Sequence, residues 1–394
     1  MSDHQIHSEN HYFSQFQILP TVKSSIVIPV KNEEKYILKT LDSFCEQVDV
    51  AGKPVDRSEF EILALANNCT DRTVNLIQQF QQDNPDLNLY LQQVSLPSEK
   101  ANIGYVRRKL MDCAYLRLIQ NDGGIIMTTD ADTMVSKDWI AQNRYEVEEG
   151  AEAVGGRILL YPDELESLDE YARQYHLKDE KYQLLIAELE GLIVSPSYDP
   201  VPRHHQHFNG SFAITSLCYN RSGGVPVVKQ LEDCAFYERL QKMDAKIRHS
   251  HKVTVHTSAR CIGRTEVGLS YQLNKWKNLG MQMEDFMVES ADSILNNLIL
   301  KRIMKSIWEI KEQISKFQFF EIAKNHKLEI ILDEKSFYFF ENSFYFGEWY
   351  EKVNEKQISF KKKYTNVSID TAIRDLEIIL KRYSDHNFVQ TSIL

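Results

Sequence analysis

Two aspartates follow a short apolar run in the segment Gly124-Ile125-Ile126-Met127-Thr128-Thr129-Asp130-Ala131-Asp132-Thr133. The run predicts a buried strand, because it is short, apolar and bounded by turn and polar residues. Side chains at the exit of such a strand can reach a ligand, and carboxylate oxygens suit a divalent cation that bridges to phosphate, as Mg²⁺ commonly does. Asp130 and Asp132 are therefore predicted to lie at a ligand site.

Strands and helices alternate on the amino-terminal side of this segment. Strands are predicted at 25–30, 60–66 and 87–94, and Pro29 closes the first of them. Amphipathic helices are predicted at 34–48, at 72–80 and after residue 101. This alternation predicts an α/β domain, layered as α/β/α, with a mainly parallel sheet. Ligands of such sheets bind at the carboxyl ends of the strands, where the two aspartates lie.

The pattern changes after residue 161. Residues 162–193 are helical and acidic in character, 195–207 read as a Pro- and His-rich loop, and helical periodicity dominates from residue 269 onward. One predicted helical stripe there consists of Trp276, Leu279, Met283 and Phe286. The aromatic residues of the carboxyl-terminal third are expected to pack a small core rather than to form a ligand cage.

These changes define three predicted regions. A polar amino-terminal segment occupies 1–22, a catalytic domain occupies 23–268, and a mostly helical region at 269–394 is expected to pack on the catalytic domain. A dimerisation module is the rival interpretation of the last region, which makes a homodimer one expectation.

Charge and cysteine content exclude several classes of protein. The formal charge is −10 over 394 residues, which disfavours a nucleic-acid binder. The six cysteines lie far apart without a Cys-x-x-Cys pair, so free thiols in a reducing compartment are expected. The amino terminus lacks the pattern of a secretory signal, and no run approaches the roughly 20 apolar residues of a membrane helix. We therefore expect a cytoplasmic location and no integral membrane segment.

Four segments in order carry a family resemblance: Val27–Glu34, Ala66–Thr73, Asp130–Asp132, and Gly223-Gly224 followed by Glu232-Asp233. Together they resemble the nucleotide-sugar-dependent glycosyltransferases of family 2, which have the GT-A fold, over about residues 23–270. The resemblance implies that the first segment forms the nucleotide loop, the second recognises base and ribose, and the third binds metal and donor. The implied donor-binding residues are Pro29, Val30, Asn32, Glu33, Asn67, Asp71, Asp130, Asn209 and Gly210, and the implied metal ligands are Asp130 and Asp132.

The second segment departs from the family, which usually has acidic residues where this chain has Ala66 and Asn67. An amide can accept the N3–H of uracil but also offers a donor, so UDP is favoured while other bases stay open. Arg107 and Arg108 follow on a predicted helix where the family often has an arginine near the nucleotide. Two interpretations of these arginines stay open: one of them contacts the diphosphate or the base, or both lie on a solvated helix face.

The fourth segment implies the acid–base chemistry. In inverting members the aspartate of this motif is the general base, which here is Asp233, with Glu232 beside it. The competing interpretation of both residues is helix capping, because acidic residues favour a first turn. Transfer from a nucleoside diphosphate requires a stabilised leaving group, which Mn²⁺ or Mg²⁺ on the two aspartates of the third segment would supply.

A basic segment follows the fourth motif. Family members often complete the metal shell with a late histidine, which makes His256 a candidate, and Arg260 and Arg264 are candidates for holding the diphosphate in bidentate fashion. A strand-edge surface histidine is the alternative for His256. The histidines of 203–207 are expected to flank the sugar or acceptor rather than to bind zinc.

The resemblance implies a metal-dependent, hexosyltransferase-like enzyme that moves a sugar from a nucleoside diphosphate, UDP favoured, to an unknown hydroxyl acceptor, with inversion. Two alternatives remain. A nucleotidyltransferase that forms nucleotide sugars would be expected to show a Gly-rich loop after the first strand, and the residues from Pro29 to Asn32 contain no glycine. A non-catalytic nucleotide-sugar-binding scaffold would not need Asp130, Asp132 and Asp233 together.

Overall fold

The computed structural model describes residues 12–260, 267–360 and 366–385. They divide into two compact units. The first comprises residues up to 169 together with 206–239 and 246–275, and the second comprises 170–205, 240–245 and residues from 276 onward. The predicted donor-binding Arg264 lies outside the described residues. None of the described helices has the length and apolar character that crossing a membrane requires.

The first unit is built on one eight-stranded sheet. Its strands are β1 Ser24–Val30, β2 Phe60–Asn67, β3 Leu89–Val94, β4 Ile125–Thr129, β5 Thr133–Val135, β6 Ala153–Leu160, β7 Ser211–Thr215 and β8 Ile247–Thr257. Their order across the sheet is β3-β2-β1-β4-β7-β6-β8-β5. The first four pair in parallel, as do β6 and β8, whereas β7 runs antiparallel to both its neighbours and β5 runs antiparallel to β8. The predicted, mainly parallel sheet is confirmed.

The described helices are, in chain order, α1 Ile37–Asp42, α2 Thr73–Asp83, α3 Ile103–Leu118, α4 Trp139–Glu148, α5 Pro162–Glu166, α6 Glu170–Ile193, α7 Ser216–Arg221, α8 Glu232–Lys242, α9 Leu269–Met281, α10 Ala291–Glu309, α11 Lys316–Asn325, α12 Glu334–Asn342, α13 Phe346–Phe360 and α14 Ile369–Asp385. Two further short strands, β9 Met287–Val288 and β10 Val367–Ser368, pair in the second unit. The mostly helical carboxyl-terminal region is confirmed.

Helices cover both faces of the sheet. Ile26 and Ile28 of β1 lie in a buried cluster with residues of α1, α2 and α4, including Ile37 and Trp139. Because side chains alternate along a strand, Val27 faces the other side, and α3 packs against β1, β2 and β4. This layering places the amino end of α3 near the carboxyl ends of the parallel strands.

Pro29 lies inside β1, which ends one residue later at Val30, where the predicted strand 25–30 also ends. It pairs with Leu65 of β2 in register, and the strand continues to Val30. The partner on the other side, β4, pairs with β1 only from Ser24 to Val27. Pro29 lies two residues beyond the last residue of β1 that pairs with β4, so its missing N–H costs no hydrogen bond on that side.

Two hydrophobic clusters hold the second unit together. In one, α6 packs with α10 and α14 through residues such as Leu189, Leu298 and Leu376. The other joins α10 to α11, α12 and α13 and includes Phe340 and Trp349. The carboxyl-terminal aromatic residues therefore pack a small core, as predicted. Residues 170–205, which the sequence boundaries include in the catalytic domain, belong to this second unit.

The predicted stripe on α9 is wrong at its carboxyl end. The helix ends at Met281, and Met283 has a φ of +54° and is 92% exposed. A left-handed residue turns the chain, so the helical spacing no longer applies beyond it. Leu273 and Trp276 are the buried residues of the helix.

Candidate functional site

Asp130 stands at the exit of β4, and the chain around it is tightly packed. Thr129, the last residue of the strand, donates its Oγ1 hydrogen bond to the carbonyl of Gly210 at 2.9 Å. A Cβ on Gly210 would lie 3.1 Å from Oδ2 of Asp130, so only glycine allows this approach without displacement. The side chain of Asp130 is 40% exposed, which leaves it open to a ligand.

Arg107 of α3 is buried beneath Asp130. Its Nη2 lies 2.7 Å from Oδ1 of Asp130, and its Nη1 donates to Thr128 Oγ1 at 2.6 Å. Its Nε lies 3.6 Å from Oε1 of Glu232, at the start of α8. The guanidinium is only 3% exposed, so it organises the site from inside. This burial excludes the solvated helix face, whereas a contact between Arg107 and the diphosphate or base stays a prediction.

Arg108, the next residue on α3, holds the turn before α8. Its Nη1 donates to the carbonyls of Gly223 and Val225 at 2.7 and 2.8 Å, and its Nε pairs with Asp112 at 2.7 Å. Gly223 and Gly224 have φ values of +69° and +75°, which glycine adopts at no steric cost. Arg108 therefore fixes the glycine turn rather than presenting its charge to solvent.

Gly104 completes this face of α3 and was missed by the sequence analysis. A Cβ at this position would lie well inside contact distance of the Val228 carbonyl. The sequence held one signal for it. Gly104 precedes Arg107 by three residues and Arg108 by four, and residues at these spacings share one face of a helix. The amino end of α3 thus supports the segment from 223 to 232.

Asp132 is buried, with its side chain 8% exposed. Its Oδ2 accepts a hydrogen bond from Ser258 Oγ at 2.5 Å and lies 2.8 Å from Nη2 of Arg260. Burial raises the pKa of Asp132 to about 6, against the lowering effect of Arg260, and the carboxylates of Asp130 and Glu33 add to the rise. Ser258 was not among the predicted site residues, and no motif in the sequence pointed to it.

Glu33 follows β1 and is held by the same arginine. Nη1 and Nη2 of Arg260 each lie 3.0 Å from one of its carboxylate oxygens, which is a bidentate ion pair. The Glu33 side chain is 6% exposed. Glu33 and Arg260, both predicted donor ligands, are therefore brought together with Asp132.

The remaining predicted nucleotide residues form the loops after β1 and β2. Asn32 has a φ of +52°, and its Oδ1 accepts from the Thr70 N–H at 2.7 Å. Asp71 accepts from Thr73 N–H at 3.0 Å. Burial works to raise the pKa of Asp71, but hydrogen bonds to Thr73 and its neighbours outweigh it and lower the pKa. These contacts join the two loops at one edge of the sheet.

The other residues implied for this loop are mostly enclosed. Asn67 is 4% exposed at the end of β2. Pro29 and Val30 are buried within β1. The side chains of Pro29 and Val30 belong to the sheet core, so these two residues could meet a ligand only through their main chain.

The first turn of α8 carries both predicted acid–base residues. Glu232 is 4% exposed, and burial raises its pKa. Oδ1 of Asp233 accepts from the N–H of Cys234 at 2.9 Å. Asp233 is therefore the neighbour of Glu232, the acid that contacts Arg107.

His256 does not join the two aspartates in a three-ligand group. Among the residues that the structure describes, no three His, Cys, Asp or Glu side chains form a cluster that could hold a metal. In β8 the next residue, Thr257, contacts Oδ1 of Asp132 at 3.5 Å, so alternation directs His256 to the other face. Burial and the nearby Lys39 lower the pKa of His256.

The donor chemistry of Asp130 and Asp132 nevertheless fits a hard divalent cation. Both offer carboxylate oxygens, and the exposed side chain of Asp130 leaves an approach. Asn209, beside Gly210, is 2% exposed. Its buried Nδ2 has no hydrogen-bond partner among the residues that the structure describes, which also fits a ligand site.

Comparison with known families agrees with this geometry. Residues 25–191 match the sequence model of Glycosyl transferase family 2. This part of the chain is a family 2 glycosyltransferase domain. The match includes β1, the loops after β1 and β2, α3 and both aspartates after β4. The glycosyltransferase that the sequence predicts is therefore confirmed over these residues, and the enzyme class follows from the family.

Solved structures with similar chain courses include several glycosyltransferases. S. aureus TarS 1-349 in complex with UDP is 12% identical, with 87% of this chain and 93% of that chain covered at a TM-score of 0.40. The mannosyltransferase PcManGT from Pyrobaculum calidifontis, in complex with GDP-Man and Mn²⁺, is 15% identical, with 87% and 89% covered at 0.42. At these values the similarities support no inference about the chemistry of this chain. No match to a curated protein was found.

Proposed function

We propose that the enzyme transfers a sugar from a nucleoside diphosphate, UDP favoured, to a hydroxyl acceptor with inversion at the anomeric carbon. The observation that carries the proposal is the position of Arg107 between Asp130 and Glu232. One buried guanidinium joins the donor-side carboxylate to the residue next to Asp233. Donor and base chemistry therefore share one site, which a binding scaffold would not require.

The donor is proposed to bind over the loops after β1 and β2 and against Asp130. Asn32 links these loops, and Asn67 lies at the end of the second strand. An asparagine amide pairs with uracil through its oxygen and nitrogen, which supports UDP. The buried, unpartnered Nδ2 of Asn209 supports contact with a polar group of the donor beside Gly210.

Asp130 and Asp132 are proposed to hold a divalent cation, Mn²⁺ or Mg²⁺. Such a cation, when bound, neutralises charge that develops on the leaving diphosphate. His256 is left out of this proposal, because strand alternation directs it away from Asp132.

Asp233 is proposed to take the proton from the acceptor hydroxyl as the hydroxyl oxygen attacks. Its hydrogen bond from the Cys234 N–H fixes the carboxylate at the amino end of α8. Glu232, with a pKa raised by burial, lies against Arg107 and orients the turn. The acceptor side is marked by His207, which stacks on Tyr237 of α8 with ring centroids 3.7 Å apart. Tyr237 lies four residues after Asp233 and so on the same helix face.

A panel of nucleoside diphosphate sugars tests the function. Thermal shift with and without Mn²⁺ should select one nucleotide, because a ligand that binds the folded state raises its apparent stability. Incubation of the selected donor with simple hydroxyl acceptors should release the nucleoside diphosphate, and the anomeric configuration of the product should be opposite to that of the donor. Retention would contradict the role of Asp233, and formation of a nucleotide sugar from a nucleoside triphosphate would favour the nucleotidyltransferase.

A further inference from the structure

We propose that Arg260 is a built-in counter-cation of Asp132, which a divalent metal must displace in order to bind. The inference rests on the proposed function, because it concerns the same cation site. Arg260 then acts before it contacts any diphosphate. Its guanidinium is paired with the metal-binding carboxylate of Asp132, and this pairing lowers the affinity of the site for the metal.

The geometry gives Arg260 two carboxylate partners. Its Nη2 lies 2.8 Å from Oδ2 of Asp132, and both terminal nitrogens lie 3.0 Å from oxygens of Glu33. Oδ2 of Asp132 also accepts from Ser258 at 2.5 Å. A cation that binds this oxygen therefore meets a positive group already within hydrogen-bond distance of it. Two like charges this close repel strongly in a partly buried site.

The guanidinium of Arg260 can move away from its carboxylate partners, whereas that of Arg107 cannot. The Arg260 side chain is 28% exposed, and Glu33 and Asp132 bind it through charge. Arg107 is 3% exposed and also donates to Thr128 inside the core. Rotation of the Arg260 side chain toward solvent thus breaks its ion pairs with these two carboxylates of the described residues, and rotation of Arg107 would leave a buried charge uncompensated.

The backbone before Arg260 is fixed, so the exchange is confined to the side chain. The N–H of Ala259 donates to Oε2 of Glu164 at 2.7 Å, and the hydroxyl of Ser258 holds Asp132. Asp132 is therefore kept in place while the guanidinium turns away. A released guanidinium is then positioned to pair with the anionic diphosphate that accompanies the metal.

Binding of Mn²⁺ alone to the full chain, followed by electron paramagnetic resonance of the free ion, tests the proposal. Arg260→Gln removes the competing charge and should bind Mn²⁺ about tenfold more tightly than the wild type, since a charge-assisted hydrogen bond no longer has to be broken. Arg260→Lys retains the charge and should stay close to the wild type. Arg57→Gln, which removes an arginine paired with Asp86 elsewhere on the first unit, controls for net charge.

The double variant Arg260→Gln with Asp132→Asn identifies the site of the gain. Loss of the tightened binding in the double variant supports the proposal. Unchanged or weaker Mn²⁺ binding by Arg260→Gln, together with loss of binding in Asp132→Asn alone, would overturn the counter-cation role and leave the metal site of the proposed function standing. Tight binding that survives in the double variant would overturn both, because the ion would then lie elsewhere.

Discussion

Arg107 and Asp130 form an ion pair, Nη2 to Oδ1 at 2.7 Å, in which the arginine is almost completely buried and the aspartate is partly exposed. This difference in exposure gives the two residues different roles. Asp130 faces the ligand side, and Arg107 fixes it from the core while reaching Glu232 with its Nε. Arg107 lies on α3 and Asp130 follows β4, so the packing of the helix on the sheet rather than any local motif creates the pair.

We predict that Arg107→Lys abolishes most of the transfer activity. A lysine carries the charge but not the fork that reaches two carboxylates, so Asp130 and the start of α8 lose their common support. Turnover should fall by about a hundredfold or more, in line with the cost of a displaced catalytic group. The matched control is Arg117→Lys, at a second buried arginine of α3 that pairs with Glu61. It should lose stability but keep turnover at temperatures where it is folded; equal losses in both variants would contradict a site-specific role.

The role of Asp233 predicts a separation of binding from turnover. Asp233→Asn is nearly isosteric but a far weaker base, so transfer should fall by about a hundredfold or more while donor affinity is retained. Calorimetry of donor binding and initial rates measure the two effects. Glu238→Gln, at an exposed acid of the same helix, should leave both unchanged. Turnover of Asp233→Asn within about threefold of the wild type would remove it from the base role.

Gly104→Ala should destabilise the protein, although alanine normally stabilises a helix relative to glycine by about 1 kcal/mol. The added Cβ would meet the Val228 carbonyl, and overpacking of this kind costs roughly 1–3 kcal/mol. Urea denaturation should therefore show a lower midpoint, and turnover should fall because the segment before α8 shifts. A rise in the midpoint would show that the helix and this segment do not pack as described.

Sequence reasoning identified the strand–aspartate segment and the loops after β1 and β2, because these signals are local. It did not identify the roles of Arg107 and Arg108. A helical arginine can face solvent or the core, and the choice depends on partners such as Glu232 and Gly223, which lie more than one hundred residues away. The place of residues 170–205 in the second unit was missed for the same reason, since α6 is covered by α10 and α14.

A half-buried acid of α6 predicts a pH dependence of stability. Burial, with a contribution from Glu180, raises the pKa of Asp179 to about 6. A folded-state pKa above the ordinary value near 3.9 means that its contribution to stability is complete below that pH and is lost as the pH rises through about 6. The stability that Asp179→Asn gains over the wild type should therefore grow from near zero at pH 4 to roughly 2 kcal/mol at pH 7.5. Thermal melts against pH measure the difference, and the exposed Glu188→Gln should show none.

The packing of α6 against α14 predicts which face of α14 contributes to the stability of the protein. Leu376 is fully buried in the cluster with α6 and α10, whereas Ile378 on the same helix is 46% exposed. Leu376→Asp should cost about 3 kcal/mol or more, because it buries an unpaired charge, and should yield a protein that is largely insoluble. Ile378→Asp introduces the same charge at the exposed position and should keep the wild-type melting temperature within a few degrees. Comparable damage from both substitutions would mean that α14 does not present the Leu376 face to α6.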